Sequence, residues 1–162
     1  MSASVNKDGD IEVKTPYGVS DKIVQEFLLS HEERLVQIIG KSALRREYED
    51  SLGEGGLDRL EAKARAVIPE RVKYYSSIMG VAPERVRINH AKTRFGSCSS
   101  KGNLNFSCRV MAYSEKAVDY VVIHELAHLL YMNHSREFWK VVEKYMPDYK
   151  IARQELKKIP DA

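Results

Sequence analysis

Hydrophobic positions along the chain recur at two periods, and each period predicts a different kind of element. Ile11-Glu12-Val13-Lys14-Thr15 alternates apolar and polar residues between the turn signal Asn6-Lys7-Asp8-Gly9 and Pro16, which predicts a strand leaving a tight turn. Ser20 then precedes a helical pattern over residues 21–39, with Ile23, Val24, Phe27, Leu28, Leu35, Ile38 and Ile39 on a broad apolar side and Gly40 as its terminator. A second, charged helix is expected over 43–51. Gly53-Glu54-Gly55-Gly56 reads as a flexible loop, helical patterning resumes near Leu57, and Pro69 suits the first turn of a further helix closed by Gly80. The period then shortens to two. Val86 to His90 and Asn103 to Val110 alternate as half-buried strands of one sheet, separated by a loop rich in Gly and Ser from Phe95 to Lys101. Ser114 can cap a helix over 116–132, and two last helices, 136–145 and 149–158, flank Pro147.

Strands and helices in this proportion give an α+β class, and 162 residues with 43% hydrophobic content supply one core, so one domain spanning 1–162 is expected. Cys98 and Cys108 are too few for a disulfide framework. The opening Met1-Ser2-Ala3-Ser4 leads into polar sequence without a secretory pattern, and no stretch reaches membrane-spanning length. A soluble, cytoplasmic protein is the expectation. The net charge of +3 names no partner by itself.

The chemistry sits in the apolar helix, where residues 124–128 read His-Glu-Leu-Ala-His. Histidines four apart on a helix stand about 6 Å apart on one face, close enough to share one ion, and zinc fits that geometry. Glu125 is placed to reach a water on the ion without displacing a ligand, the position of a general base. Two imidazoles and a carboxylate in an apolar helix are costly unless a partner such as a metal satisfies them. A catalytic zinc usually has three protein ligands. His134 is the preferred third, since Asn133 before it can take the left-handed conformation that turns the chain back; Glu143, one helix onward, is its rival. Ser135 can cap the next helix. Arg94, Arg109, Arg136 and Tyr131 are the candidates for stabilising a developing oxyanion or contacting substrate, whereas His31 and His90 lack such company.

With Lys92-Thr93-Arg94-Phe95-Gly96-Ser97-Cys98, Asn103-Leu104-Asn105, Val118 to His128, Asn133-His134-Ser135 and Phe138-Trp139, the chain resembles the YgjP-like metallopeptidase family, related to the SprT and WLM types. The match spans about 68–147 closely and residues 8–39 more loosely. The resemblance implies a zincin-like fold, in which a small mixed or antiparallel sheet packs on the HExxH helix. It also implies one zinc ion per chain on His124, His128 and His134, with Glu125 as the catalytic acid or base. Phe95 stands where the family usually has Trp, and the aromatic anchor of its N-terminal helix is absent around His31 to Leu35. The ligand spacing equals that of metzincins, but Tyr131 occupies their glycine position.

Between Arg85 and Ser114 there is no acidic residue, while Arg85, Arg87, Lys92, Arg94, Lys101 and Arg109 are basic. Three functions compete. A metallopeptidase would pair an extended peptide or unfolded protein with a sheet edge at Asn103 to Val110. A metal-dependent nucleoside triphosphate hydrolase would use the basic stretch 85–109 against phosphates, an assignment YgjP-like proteins have also received. A non-enzymatic zinc module binding nucleic acid would close the site with Cys98 as fourth ligand.

Overall fold

The alternating segment near the start forms a strand: in the computed structural model, which describes residues 1–6 and 10–160, β2 (Ile11–Lys14) pairs antiparallel with β1 (Ser2–Val5), from Ser2↔Lys14 to Val5↔Ile11. Residues 7–9 of the expected turn lie outside the described residues, but its ends are joined, the Asp10 amide donating to Asn6 Oδ1 at 2.9 Å. The described chain divides into a smaller unit, Met1–Ser51, and a larger one, Leu52–Pro160.

In the smaller unit the helix expected over 21–39 is cut in two. α1 (Asp21–Ser30) stops at His31, where Ser30 Oγ donates to the Phe27 carbonyl at 2.8 Å and the His31 ring lies 2.9 Å from the same oxygen. Side-chain groups thus take a carbonyl that the next turn would use. α2 (Glu32–Ser51) then runs through Gly40, which does not terminate it, and absorbs the separate helix expected over 43–51. Gly40 has no positive φ, so nothing in its backbone conformation ends the helix. Leu35 is the buried residue of α2.

In the larger unit α3 (Gly56–Met79) is continuous, with Pro69 inside it rather than at the start of a new helix. Pro69 is exposed, while Ala64, Ile68 and Val72 are buried, so packing of the buried face carries the helix across the missing N–H. Gly80 closes it at φ 67°, as its position predicts.

The second sheet has the order β3-β5-β4, from β3 (Arg85–Asn89), β4 (Gly96–Cys98) and β5 (Asn103–Ser107). β3 runs parallel to β5 and β4 antiparallel, so the sheet is mixed. Two expectations change. The Gly/Ser-rich loop contributes a strand, β4, because its Gly96 to Cys98 segment finds Phe106 to Leu104 of β5 as partner. β5 ends at Ser107, not Val110, since Ser107 Oγ accepts the Arg109 N–H and starts a 3₁₀ segment, Cys108–Ala112. Being flanked on both sides, β5 is not the edge on which an added peptide was expected to pair; β3 and β4 are the edges.

α4 (Glu115–Ala127) starts at Ser114, whose hydroxyl accepts the Ala117 N–H at 3.2 Å, and is buried on most sides. It ends at Ala127, short of the expected Met132, because Leu129 and Leu130 donate three residues back and tighten the chain. No described residue other than glycine has positive φ, so the turn towards His134 does not use the left-handed Asn133 that was expected. α5 (Arg136–Tyr145) has the anticipated bounds and its Ser135 cap, and α6 (Tyr149–Glu155) follows Pro147, ending before the expected 158. The core gathers Ile68, Leu104, Phe106, Ile123, Leu126 and Phe138, each fully buried. Burial stabilises the fold by roughly 1.5–3 kcal/mol for each such side chain. Among the described residues no helix is long and apolar enough to cross a membrane.

Candidate metal centre

One helical turn of α4 brings His124 and His128 edge to face, with ring centroids 4.9 Å apart. The short turn after α4 returns His134 to them, so that its Nε2 lies 3.0 Å from Nε2 of His124. One ligand atom from each of the three histidines lies within 4.8 Å of the others, and no other such group of three converges among the described residues. Phe138, fully buried on α5, sits beside all three rings at 4.6–4.9 Å between centroids.

Each ring is oriented from behind. His128 Nδ1 lies 3.0 Å from the Tyr131 carbonyl, and His124 Nδ1 lies 3.4 Å from the Tyr120 hydroxyl. His134 stacks on Trp139 at 5.8 Å and 26°. Burial, helped by the neighbouring His128 and His134, holds His124 down to about 3, and burial likewise lowers His128. Neutral rings offer lone pairs, and Nε2 of His124 and Nε2 of His134 stand at hydrogen-bond distance, 3.0 Å, where one ring's N–H can donate to the other or both lone pairs can face one ion. Three imidazole donors around one point suit a divalent metal with a remaining open position.

Glu125 is 6% exposed and meets β4 so closely that a Cβ on Gly96 would come 2.5 Å from Glu125 Oε1. Burial pushes its carboxyl up to about 8, opposed by the charge of Arg94. Of the four candidates for substrate or oxyanion contact, Arg94 is thus the one whose charge acts on Glu125. Arg109 is buried and its Nε donates to the His90 carbonyl at 3.4 Å. Arg136 is exposed at the start of α5, and Tyr131 contributes its carbonyl to His128.

Glu143, the rival third ligand, is exposed on α5 and outside the histidine group. Cys98 is half-buried on β4, its Sγ 3.4 Å from the Ser99 carbonyl, and also stands outside that group. His90 pairs with Glu61 at 2.6 Å, and His31 lies against Phe27. The basic stretch is divided: Arg85 and Arg87 are exposed on β3, Lys101 occupies the turn before β5, and Arg109 is interior.

Sequence reasoning did not find Tyr120 or Gly96. Tyr120 had a signal, since it precedes His124 by four residues on one helix face. Gly96 reaches the site only through tertiary packing.

The sequence profile described as "YgjP-like, metallopeptidase domain" matches residues 46–159. Among solved structures, the metallopeptidase zymogen of Pyrococcus abyssi abylysin is similar at 28% identity with a TM-score of 0.51, covering 56% of this chain and 91% of that one. The metallopeptidase zymogen of Methanocaldococcus jannaschii jannalysin aligns at 23% identity with a TM-score of 0.48, over 56% and 91% of the two chains. No curated protein matches the sequence significantly.

Proposed function

The chain belongs to the YgjP-like metallopeptidase family and is a metallopeptidase, and from that premise we propose that its metal is a single zinc ion held by His124, His128 and His134, with Glu125 as the acid and base of peptide hydrolysis. The observation that carries this reading is the convergence of three imidazole nitrogens within 4.8 Å of one another at the end of the helix that also bears the buried Glu125. Zinc is the choice for an all-imidazole set that leaves one position open. When bound, the metal supplies the Lewis acidity that polarises the scissile carbonyl and makes water nucleophilic at neutral pH.

The remaining work falls to the chain. In its ionised form, which the charge of Arg94 favours against the burial that opposes it, Glu125 takes a proton from the attacking water and delivers it to the leaving nitrogen. Arg94 is the candidate for stabilising the developing negative charge, since its charge acts at Glu125. The substrate is a peptide or an unfolded segment of protein. β4 is the free edge beside Glu125, and an extended peptide added to that edge runs past the carboxylate with its backbone groups paired. Gly96 leaves no side chain between strand and helix there.

The test compares wild type with Glu125→Gln on an unfolded casein-like protein and on a panel of nucleoside triphosphates, with bound metal measured in both. Peptide cleavage is expected in wild type and should fall at least about a hundredfold in the variant while metal content stays level. Triphosphate hydrolysis that depends on Glu125, without peptide cleavage, would replace this reading with a phosphoanhydride hydrolase. Full metal occupancy without either activity would leave a non-catalytic zinc module.

A further inference from the structure

We propose that Tyr120 and Tyr149 are positioning residues for the metal centre, joined in one run of aromatic rings that begins at His134 and ends at His124. The inference rests on the reading that these histidines hold the metal. His134 stacks on Trp139, Trp139 on Tyr149 at 5.3 Å and 20°, and Tyr149 on Tyr120 at 6.3 Å and 15°. The run closes where the Tyr120 hydroxyl reaches His124 Nδ1 at 3.4 Å. It draws on the turn after α4, on α5, on α6 and back on α4. Two ligands separated by ten residues are therefore held in one mutual orientation by a helix, α6, that carries no ligand.

The two tyrosines act through different atoms. His124 presents Nε2 towards His134, so Nδ1 is the nitrogen left to carry the ring proton, and the Tyr120 oxygen accepts it. That bond fixes both tautomer and ring direction, as outer partners of ligating histidines do. Tyr149 is buried between Tyr120 and Trp139, with its ring stacked on both. Its contribution is the flat face of the ring. Trp139 receives the Arg153 guanidinium at 4.9 Å as well, which fixes the indole from α6 a second time.

This division separates positioning from simple packing. Chelator competition on the full chain measures zinc affinity for wild type, Tyr120→Phe, Tyr149→Phe and Tyr149→Ala, and the cobalt-loaded forms report ligand geometry through their visible absorption. Tyr120→Phe keeps the ring and the fold but should bind zinc about 10–100-fold more weakly. Tyr149→Phe should match wild type, because the ring remains, while Tyr149→Ala weakens zinc binding and alters the cobalt spectrum. Tyr120→Phe binding as tightly as wild type would overturn the proposal, as would Tyr149→Phe weakening to the level of Tyr149→Ala. If wild type itself takes up no metal, the three-histidine reading fails and the inference falls with it; metal uptake that ignores Tyr120 sinks the inference alone.

Discussion

At the scale of the residue, Gly96 links the sheet to the proposed chemistry by having no side chain. A Cβ there would meet Glu125 Oε1, Cγ and Cδ at 2.5–2.8 Å, and Glu125 is enclosed on a buried helix face with little room to withdraw. Gly96→Ala is expected to displace the carboxylate and lower kcat at least tenfold, with overpacking costing about 1–3 kcal/mol of stability. Zinc content should stay at the wild-type level, because the three atoms that such a Cβ would meet first all belong to Glu125; steady-state kinetics beside metal analysis checks both halves. The contrast between Gly96 and His124 explains how much of the site was legible. His124, Glu125 and His128 are related by helix geometry alone, so their spacing in the sequence already states their relation in space. The choice of His134 over Glu143 needed only the short turn after α4. Gly96 approaches Glu125 from a strand 29 positions earlier, and nothing in local spacing signals that approach.

At the scale of the element, capping was readable and helix continuity was not. Ser114 and Ser135 both accept the N–H three residues on, as their positions before apolar runs predicted. Ser114 is gripped further by Glu155 of α6, which accepts its amide at 2.8 Å and its hydroxyl at 2.7 Å. Ser114→Ala should cost about 1 kcal/mol from the cap alone, seen as a lower denaturation midpoint. Gly40 and Pro69 misled because both are punctuation by local rule, whereas α3 continues through Pro69 with buried residues before and after it. That makes them sites of stored instability. Gly40→Ala is expected to stabilise by about 0.5–1 kcal/mol, since the position has negative φ and open space where Cβ would go. Pro69→Ala should stabilise by up to about 3 kcal/mol by restoring a helical hydrogen bond at an exposed position. Denaturant melts of the two variants check these signs, and a loss of stability in either would contradict the account of its helix.

At the scale of the whole molecule, metal binding and folding should be linked. The proposed ligands come from α4 and the turn behind it, and α5 and α6 back them, so an ion that binds only the folded arrangement raises its stability. Chelation should lower the melting temperature of wild type by several degrees and leave that of His124→Ala unchanged. The strand order is what the sequence least disclosed: alternation announces strands but does not say which lies between which, and β5 proved central where an edge had been expected. The edge beside Glu125 is instead β4, hidden in a Gly/Ser-rich segment too short and too small in its side chains to show a period. The central claim, that three imidazoles hold a zinc ion with one position left for chemistry, is tested most directly by X-ray absorption on the zinc-loaded full chain. The account predicts three nitrogen ligands and one further light atom at about 2.0–2.1 Å. A sulfur ligand at about 2.3 Å, bringing Cys98 into a closed site, or a chain that takes up no zinc, would contradict it.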